Sequence, residues 1–433
     1  MGNVYIKTFG CAANQAESEM MAGMLEESGN HTFYNEDQIE NADTILVNIC
    51  TVKGDKKALR EISSLKELYP DKKIVVSGCV TKSMIPKIEK IDPNASIMNT
   101  DNIKSVVEAV ESKNPLRILD RKQEIKVRIP RIRSRNSISI IPICQGCTSF
   151  CTYCSTKLSK GNIFSYPMEK ILVEAEESIK EGCKEIWLTS QDNGDYGFEW
   201  DKKSHLPELI KKVSEIEGDF MIRIGMTNPI GVMSVLDELV DSFKSDKVFK
   251  FLHVPIQAGN NDVLRRMARR YTVEDFKLLV EKFRNAIPEI TISTDIICGF
   301  PGETEEQFSD TLKLVEEVQP EVVNISRFVA REGTAAFRMD TQVHGNKKKD
   351  RSTALSETFK RVALERNKRW IGWKGNVVVD EIGKRGELIA RNYAYKPVII
   401  NEKQHVENFK AGDKLKVKIF DATALDLRGE IIK

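Results

Sequence analysis

Cys147-Thr148-Ser149-Phe150-Cys151-Thr152-Tyr153-Cys154 sets three cysteines at C-x3-C-x2-C spacing, directly after the apolar run Ile138-Ser139-Ile140-Ile141-Pro142-Ile143. Such a loop can fold so that three thiolates converge on one iron–sulfur cluster. A cluster of four irons takes four cysteines, so three leave one iron open to a substrate or cofactor. A centre that only carries electrons has no use for an open iron, and the spacing points to chemistry at the cluster. A structural zinc site is the plainer reading. Zinc takes four protein ligands at such sites, often from a histidine pair or a second cysteine pair close by. Here the next histidine downstream is His205 and the next cysteine is Cys183. Cys144 precedes the loop, but it falls at the end of the apolar run and is left out of the ligand set.

The chain has 433 residues, 41% hydrophobic and 30% charged, with a formal net charge of +2. That length suits two to four domains, and the overall charge selects no partner. No apolar run approaches the ~20 residues of a membrane-spanning helix. Met1-Gly2-Asn3-Val4-Tyr5 lacks a basic region followed by an apolar core, so no signal peptide is expected. Nine cysteines without an export signal point to a reducing, cytoplasmic setting and to metal or catalysis rather than disulfides.

Residues 1–112 read as strands alternating with helices: Val4–Phe9, Thr44–Ile49 and Lys73–Ser77 as strands, Asn14–Glu27 and Asp55–Tyr69 as helices. This predicts a doubly wound parallel sheet. Cys11, Cys50 and Cys79 each follow one of those strands. In an open α/β sheet the carboxyl ends of the strands face one crevice. Free cysteine is often a small buried hydrophobe, but three at equivalent strand ends favour a second three-cysteine cluster site.

Residues 113–132 form a basic linker. Around it Arg121, Lys122, Lys126, Arg128, Arg131, Arg133 and Arg135 alternate with Ile and Val. A solvated edge strand and a contact for phosphates fit this segment equally. Residues 133–365 repeat a βα pattern with strands at Ile138–Ile143, Glu185–Thr189, Phe220–Ile224, Phe249–Val254, Ile290–Ile297 and Val322–Ser326. Six strands and their helices predict a partial (βα)6 barrel, whose site lies at the carboxyl ends of the strands. The Cys147 loop lies there. So do Thr189-Ser190-Gln191-Asp192, Gly225–Pro229, Pro255-Ile256-Gln257-Ala258-Gly259 and Cys298-Gly299-Phe300-Pro301-Gly302-Glu303. Each alone reads as a turn or a cap; together they outline a cofactor cavity. A charged helix runs from Lys347 to about Trp370. Residues 366–433 read as five short strands, a small antiparallel barrel. From Lys368 to Lys433 there are 14 Lys and Arg against 9 Asp and Glu, with Trp370, Trp373, Tyr393 and Tyr395. Basic charge with aromatics suggests RNA binding; the alternative is that the aromatics form the barrel's core.

These stretches resemble a known family. The Cys147–Cys154 loop, with Tyr153 before its last cysteine, is similar to the radical S-adenosylmethionine (SAM) signature. Gly10-Cys11-Ala12-Ala13-Asn14, Asn48-Ile49-Cys50-Thr51-Val52 and Ser77-Gly78-Cys79 resemble the N-terminal domain of the methylthiotransferases. Leu188–Asp192, Val254–Gly259 and Thr294–Thr304 resemble that family's barrel, and Arg391-Asn392-Tyr393 with Lys396-Pro397-Val398 its OB-like TRAM domain. Tyr5–Cys11 and Cys50-Thr51-Val52-Lys53 are most similar to the archaeal and eukaryotic branch. There are two departures: Ile49 stands where Thr is usual, and Arg331-Glu332-Gly333-Thr334 replaces an Arg-Pro-Gly-Thr pattern, in a loop expected near the substrate.

The resemblance implies methylthiolation at C2 of N6-threonylcarbamoyladenosine, at position 37 in the anticodon loop of tRNA. It implies two [4Fe-4S] clusters, one on Cys147, Cys151 and Cys154 that cleaves SAM, one on Cys11, Cys50 and Cys79 that carries sulfur. Tyr153, Ser190, Gln191, Asp192, Arg223, Gln257, Asp295 and Gly299 are the implied SAM contacts. An electron donor such as a flavodoxin or ferredoxin and a sulfur donor are the implied partners. Three rivals remain at this point: isopentenyladenosine in tRNA, an aspartate of a ribosomal protein, and a non-catalytic iron–sulfur redox sensor that binds RNA. The basic C-terminal segment favours RNA over a basic protein, and the open iron argues against a sensor.

Overall fold

Residues 2–51, 54–401 and 409–432 are described by a computed structural model; Val52 and Lys53 of the Cys50 stretch lie outside them. In the N-terminal part, β1 (Asn3–Phe9), β2 (His31–Phe33), β3 (Thr44–Ile49), β4 (Lys73–Gly78), β5 (Ser96–Met98) and β6 (Arg117–Ile118) pair in the order β2-β1-β3-β4-β5-β6. All pairs are parallel. Val4, Ile6, Leu46 and Val75 pack under α1 (Ala12–Glu27) and α4 (Val106–Glu111). Tyr5, Ile45, Val47 and Val76 pack under α2 (Asp55–Leu68) and α3 (Ile85–Ile91). Because successive side chains point to opposite faces, wholly apolar strands bury both. Strand order reverses beside β1, so the crevice at a doubly wound sheet's switch point lies between β1 and β3.

In the centre, β7 (Ile138–Pro142), β10 (Glu185–Thr189) and β11 (Met221–Ile224) form one parallel sheet. β12 (Phe251–His253), β13 (Thr291–Cys298) and β14 (Val322–Arg327) form another. A parallel bridge from Ile222 to Val248 joins them into the partial six-stranded barrel. A short antiparallel ribbon, β8 (Cys144–Gln145) with β9 (Phe164–Ser165), pinches the base of the cysteine loop. The helices are α5 (Thr156–Lys160), α6 (Met168–Lys180), α7 (Phe198–Asp201), α8 (Leu206–Glu215), α9 (Pro229–Val232), α10 (Leu236–Ser242), α11 (Asn261–Arg266), α12 (Val273–Ala286) and α13 (Glu305–Val318). Helix α13 begins where Thr304 and Gln307 cap each other reciprocally. That reciprocal cap satisfies two otherwise free N–H groups.

α14 (Gly345–Lys368) leads to a closed barrel of β15 (Lys374–Ile382), β16 (Leu388–Arg391), β17 (Pro397–Ile400), β18 (Lys414–Ala422) and β19 (Leu427–Ile431). Its pairs are antiparallel except β17 with β19, the pair that closes it. No described helix is long and apolar enough to cross a membrane.

Neighbouring parts close over the inner face of the central strands. Ile141, Leu188 and Ile224 face the outer helices, whereas Ile140, Trp187 and Arg223, adjacent in register, face inward. Ile138 and Ile140 pack against Met20 and Met21 of α1. Tyr395 of the C-terminal barrel packs against Phe249 at 4.8 Å, Phe251 at 5.1 Å and Trp187 at 6.5 Å. The C-terminal aromatics are therefore not an exposed stacking surface. Trp370 lies in the small barrel's core, and half-buried Trp373 and Tyr393 pack edge-on or tilted against it and each other.

The basic linker opens with a short edge strand, β6, paired with β5, and much of its remaining charge is held in ion pairs. Arg128, Arg131 and Arg133 pair with Glu177, Glu174 and Glu181 along α6. Arg121 pairs with Asp101, and Lys126 is buried on Glu17. Its charge is spent on holding the first domain to the second.

Tyr395→Ala is expected to cost about 3–5 kcal/mol, the usual penalty for emptying an aromatic site, and Tyr395→Phe less than ~1.5 kcal/mol. Urea unfolding of the full chain reads this as an earlier first transition. An unchanged transition in Tyr395→Ala contradicts the docking role.

Candidate active site at two cysteine triads

The first triad grows from three neighbouring strands. Cys11, Cys50 and Cys79 follow β1, β3 and β4, which lie side by side in the sheet. Two asparagines fix the loops. Asn14 Nδ2 donates to Asn48 Oδ1 and to the Ile49 carbonyl, both at 3.0 Å, and Asn48 Nδ2 donates to the Asn14 carbonyl at 2.8 Å. The Cys11 N–H donates to Asn14 Oδ1 at 3.4 Å, and Cys11 Sγ lies 3.3 Å from the same oxygen. Gly78 has φ +97°, and a Cβ there would stand 2.2 Å from Asn48 Oδ1. Only glycine lets the chain turn there toward Cys79.

The thiols meet. A hydrogen bond from Cys50 brings the Cys11 pKa down to about 6 and the Cys79 pKa to about 7. Cys50, whose single S–H can turn to either neighbour, is raised far above its ordinary value. Three soft sulfur donors, two of them with lowered pKa, suit an iron–sulfur cluster. Among the described residues no three His, Cys, Asp or Glu side chains are spaced around a single metal ion; in a cubane each cysteine binds a different iron.

The second triad sits on the loop after β7. Gly146, at φ +75°, would place a Cβ 2.1 Å from the Asn162 carbonyl, so glycine alone fits. The Gly146 N–H donates to Gln191 Oε1 at 2.8 Å, and the Thr148 N–H to Asp195 Oδ2 at 2.7 Å. Lys157 Nζ donates to the Cys147 carbonyl at 2.6 Å. Arg269 donates to Cys151 Sγ at 3.1 Å and to Asn228 Oδ1 at 3.3 Å. Burial pushes the Cys147 thiol up to about 12 and raises Cys154 as well. Those thiols keep their protons until a metal displaces them. Cys144 is buried in the β8–β9 ribbon, with Sγ toward the Asp192 carbonyl at 3.6 Å.

The eight expected SAM contacts fall into three groups. Tyr153, edge-on to Phe300 at 6.4 Å, Gln257 and Asp295 line the barrel by the loop. Gln257 is held at φ +74°, with its N–H on the Asp295 carbonyl at 2.8 Å. This is a sparsely populated conformation for a residue with a side chain. Asp295 Oδ1 faces His253 Nε2 at 3.0 Å and accepts from Asn324 at 2.7 Å. Burial pushes its pKa up, but His253 and Asn324 outweigh burial and hold it below the ordinary value. A second group orders the site's loops. Gln191 ties down Gly146, Ser190 donates to Asn193 at 2.9 Å, and buried Asp192 accepts the N–H groups of Gly194 and Asn228. The Gly299 N–H donates to Glu303 Oε2 at 2.7 Å. Arg223 stands apart, its guanidinium 4.8 Å from the Trp187 ring, 5.2 Å from Tyr395 and 5.5 Å from Phe251.

Residues that sequence reasoning missed join the triads. Glu17 Oε1 on α1 accepts Lys126 Nζ at 2.8 Å, Lys160 Nζ at 2.7 Å and Thr100 Oγ1 at 2.5 Å. Burial pushes the Glu17 carboxyl up, but the two lysines outweigh it and hold the pKa at about 2. Thr51, beside Cys50, has its hydroxyl 3.4 Å from that of Thr156 on α5. The Glu332 departure adds an ion pair between domains, with Lys87 at 2.8 Å, beside that of Arg331 with Asp55 at 3.2 Å. Arg269 had only one sequence signal, its place in the Arg269-Arg270 pair.

Cys11 reaches solvent although protein crowds it on most sides, whereas Cys144, Cys183 and Cys298 are buried. With its pKa at about 6, the Cys11 thiolate dominates at neutral pH and is lost as pH falls through 6. Iodoacetamide at neutral pH should label Cys11 of the metal-free protein before those three, slowing about tenfold two pH units lower. Peptide mass mapping reads this, and earlier labelling of Cys298 contradicts it.

Three family models match: the radical SAM superfamily over residues 141–315, uncharacterized protein family UPF0004 over 3–99, and the TRAM domain over 370–432. A probable threonylcarbamoyladenosine tRNA methylthiotransferase of Methanothermobacter thermautotrophicus is 41% identical, over 97% of this chain and 97% of the relative. One from Archaeoglobus fulgidus is 39% identical, over 99% and 98%. The Xenopus laevis threonylcarbamoyladenosine tRNA methylthiotransferase is 38% identical, over 99% of this chain and 77% of the relative. Among solved structures, the radical S-adenosylmethionine methyltransferase TsrM from Kitasatospora setae superposes with TM-score 0.55, covering 75% of this chain and 74% of that one at 12% identity. That likeness speaks for the fold. With both cysteine triads in place, the chain belongs to the threonylcarbamoyladenosine tRNA methylthiotransferase family of radical SAM proteins.

Proposed function

We propose that this chain methylthiolates C2 of N6-threonylcarbamoyladenosine in the anticodon loop of tRNA, in the cytoplasm. The observation that carries the reading is end-to-end similarity to relatives of that name. Two cysteine triads joined by direct contacts between their loops support it. The TRAM match agrees with an RNA substrate, and the excess of basic residues in that segment does too. No observation favours isopentenyladenosine, a ribosomal protein or a redox sensor.

The family implies a [4Fe-4S] cluster and SAM, and Cys147, Cys151 and Cys154 fit the cluster by number, spacing and shared loop. When bound, these groups supply reductive cleavage of SAM and the radical that takes hydrogen from the base. The protein's share is placement. Gln191 and Asp195 hold the loop by its N–H groups, leaving the sulfurs free. Arg269 sets a buried positive charge against Cys151, where it offsets thiolate charge. Tyr153, Gln257 and Asp295 are the residues best placed to contact SAM, with Asp295 ionised to accept its donors. Gln191, Ser190, Asp192 and Gly299 shape the loops around it. Cys11, Cys50 and Cys79 are proposed to hold a second cluster that presents sulfur to the same substrate. Electrons come from a flavodoxin or ferredoxin.

The reconstituted enzyme, given reductant, SAM and tRNA bearing N6-threonylcarbamoyladenosine, should yield the 2-methylthio nucleoside by mass spectrometry. Cys11→Ala should abolish that product and retain SAM cleavage, and Cys147→Ala should abolish both. Modification of isopentenyladenosine tRNA in preference, or SAM cleavage by Cys147→Ala, contradicts the assignment.

A further inference from the structure

The five-residue helix α5 begins two residues after Cys154 and touches the N-terminal domain at both ends. Thr156 meets Thr51 at one end. At the other, Lys160 Nζ donates to Glu17 Oε1 at 2.7 Å and to Thr100 Oγ1 at 2.5 Å. The side chains of Lys160 and Lys126 are each 3% exposed and that of Glu17 4%, so water screens none of these charges.

The charges do not balance within the cluster. Two lysines share one carboxylate oxygen, and Glu17 Oε2 has no hydrogen-bond partner. Asp101, the next acid, is occupied by Gln145 and Arg121. A buried charge without a counter-charge is costly. Burial holds the Lys126 pKa below its ordinary value, whereas Glu17 and the thiols outweigh burial and raise that of Lys160. Lys160 therefore keeps its proton. The neighbour left to answer it is the N-terminal cysteine site: α5, which carries Lys160, meets Thr51 beside Cys50 through Thr156, and Glu17 lies on the helix that Cys11 opens.

We propose that Lys160 is a positioning residue for the N-terminal cysteine site: an ammonium carried by the core across the domain boundary to offset the negative charge that three thiolates gather there. This rests on the reading that Cys11, Cys50 and Cys79 hold an iron–sulfur cluster. Such a centre gains a further negative charge on reduction, and net charge is one of the terms that set its potential. A fixed cation beside it favours the reduced form. The site is then electrostatically complete only while the first domain is docked on the second.

The test uses the full chain with Cys147→Ser, Cys151→Ser and Cys154→Ser, reconstituted with iron and sulfide so that only the N-terminal site can load. Iron analysis should give about four irons per chain. In a potentiometric titration followed by EPR, Lys160→Met should lower the reduced-to-oxidised ratio about tenfold at a given potential, a shift of ~59 mV for one electron. Lys160→Arg should recover most of that shift. Glu17→Gln, which removes the opposing charge, should shift the potential upward; a merely structural latch would move both variants the same way. A loaded cluster with an unchanged potential in Lys160→Met overturns the role of Lys160 alone. Should Lys160→Met lose its cluster, Glu17→Gln decides, and an unchanged or lowered potential there overturns the role. A parent chain that takes up no cluster overturns the second-cluster reading and this role with it.

Discussion

One buried carboxylate ties the molecule together. Glu17, on the first helix, receives Lys126 from the linker and Lys160 from the segment after the core cysteine loop. Three stretches far apart in sequence thus end on one oxygen. Such a cluster is not a source of net stability, because desolvating the charges costs about what their attraction returns. Its effect is selective: removing one partner strands another in a dry site, at a cost of about 3–5 kcal/mol. An arrangement with the first domain displaced would pay that cost at every charge. The apolar contact of Met20 and Met21 with Ile138 and Ile140 supplies the adhesion; the Glu17 cluster supplies the register.

That register decides what the two triads can do. Three cysteines come from a sheet's carboxyl edge, where Asn14, Asn48 and Gly78 hold the turns tight. The other three come from one loop, pinned by Gln191 and Asp195 and pinched by the β8–β9 ribbon. Helix α5 runs between them. The basic linker, bound along α6 by Arg128, Arg131 and Arg133, fixes the path of the chain from one to the other. Charge that resembles an RNA contact in the sequence is here interdomain mortar.

Much of this was legible in the residues, and what was not had a physical reason. Cys11, Cys50 and Cys79 each follow an apolar strand, and strand ends of a parallel sheet share an edge, so their convergence could be read. The short strands β2, β5 and β6 span three residues or fewer, too few to show a period. Helix α5 has only five residues, and Glu17 and Lys160 are 143 residues apart, so no local pattern announces their pairing. Composition could not say whether Trp370, Trp373 and Tyr393 face outward; the small barrel's core takes Trp370, with Trp373 and Tyr393 half-buried against it. Glu332 and its neighbour Arg331 also make domain contacts, with Lys87 and Asp55. Partners on another domain are what a single segment cannot reveal.

The central claim is that the two triads load two clusters that work on one substrate across one domain junction. The most direct measurement is the EPR spectrum of the doubly reduced, fully reconstituted enzyme. The account predicts mutual broadening of the two signals, abolished when either Cys11, Cys50 and Cys79 or Cys147, Cys151 and Cys154 are replaced by serine. A spectrum equal to the sum of the two single-site spectra, or one signal that survives replacement of the first triad unchanged, would contradict it.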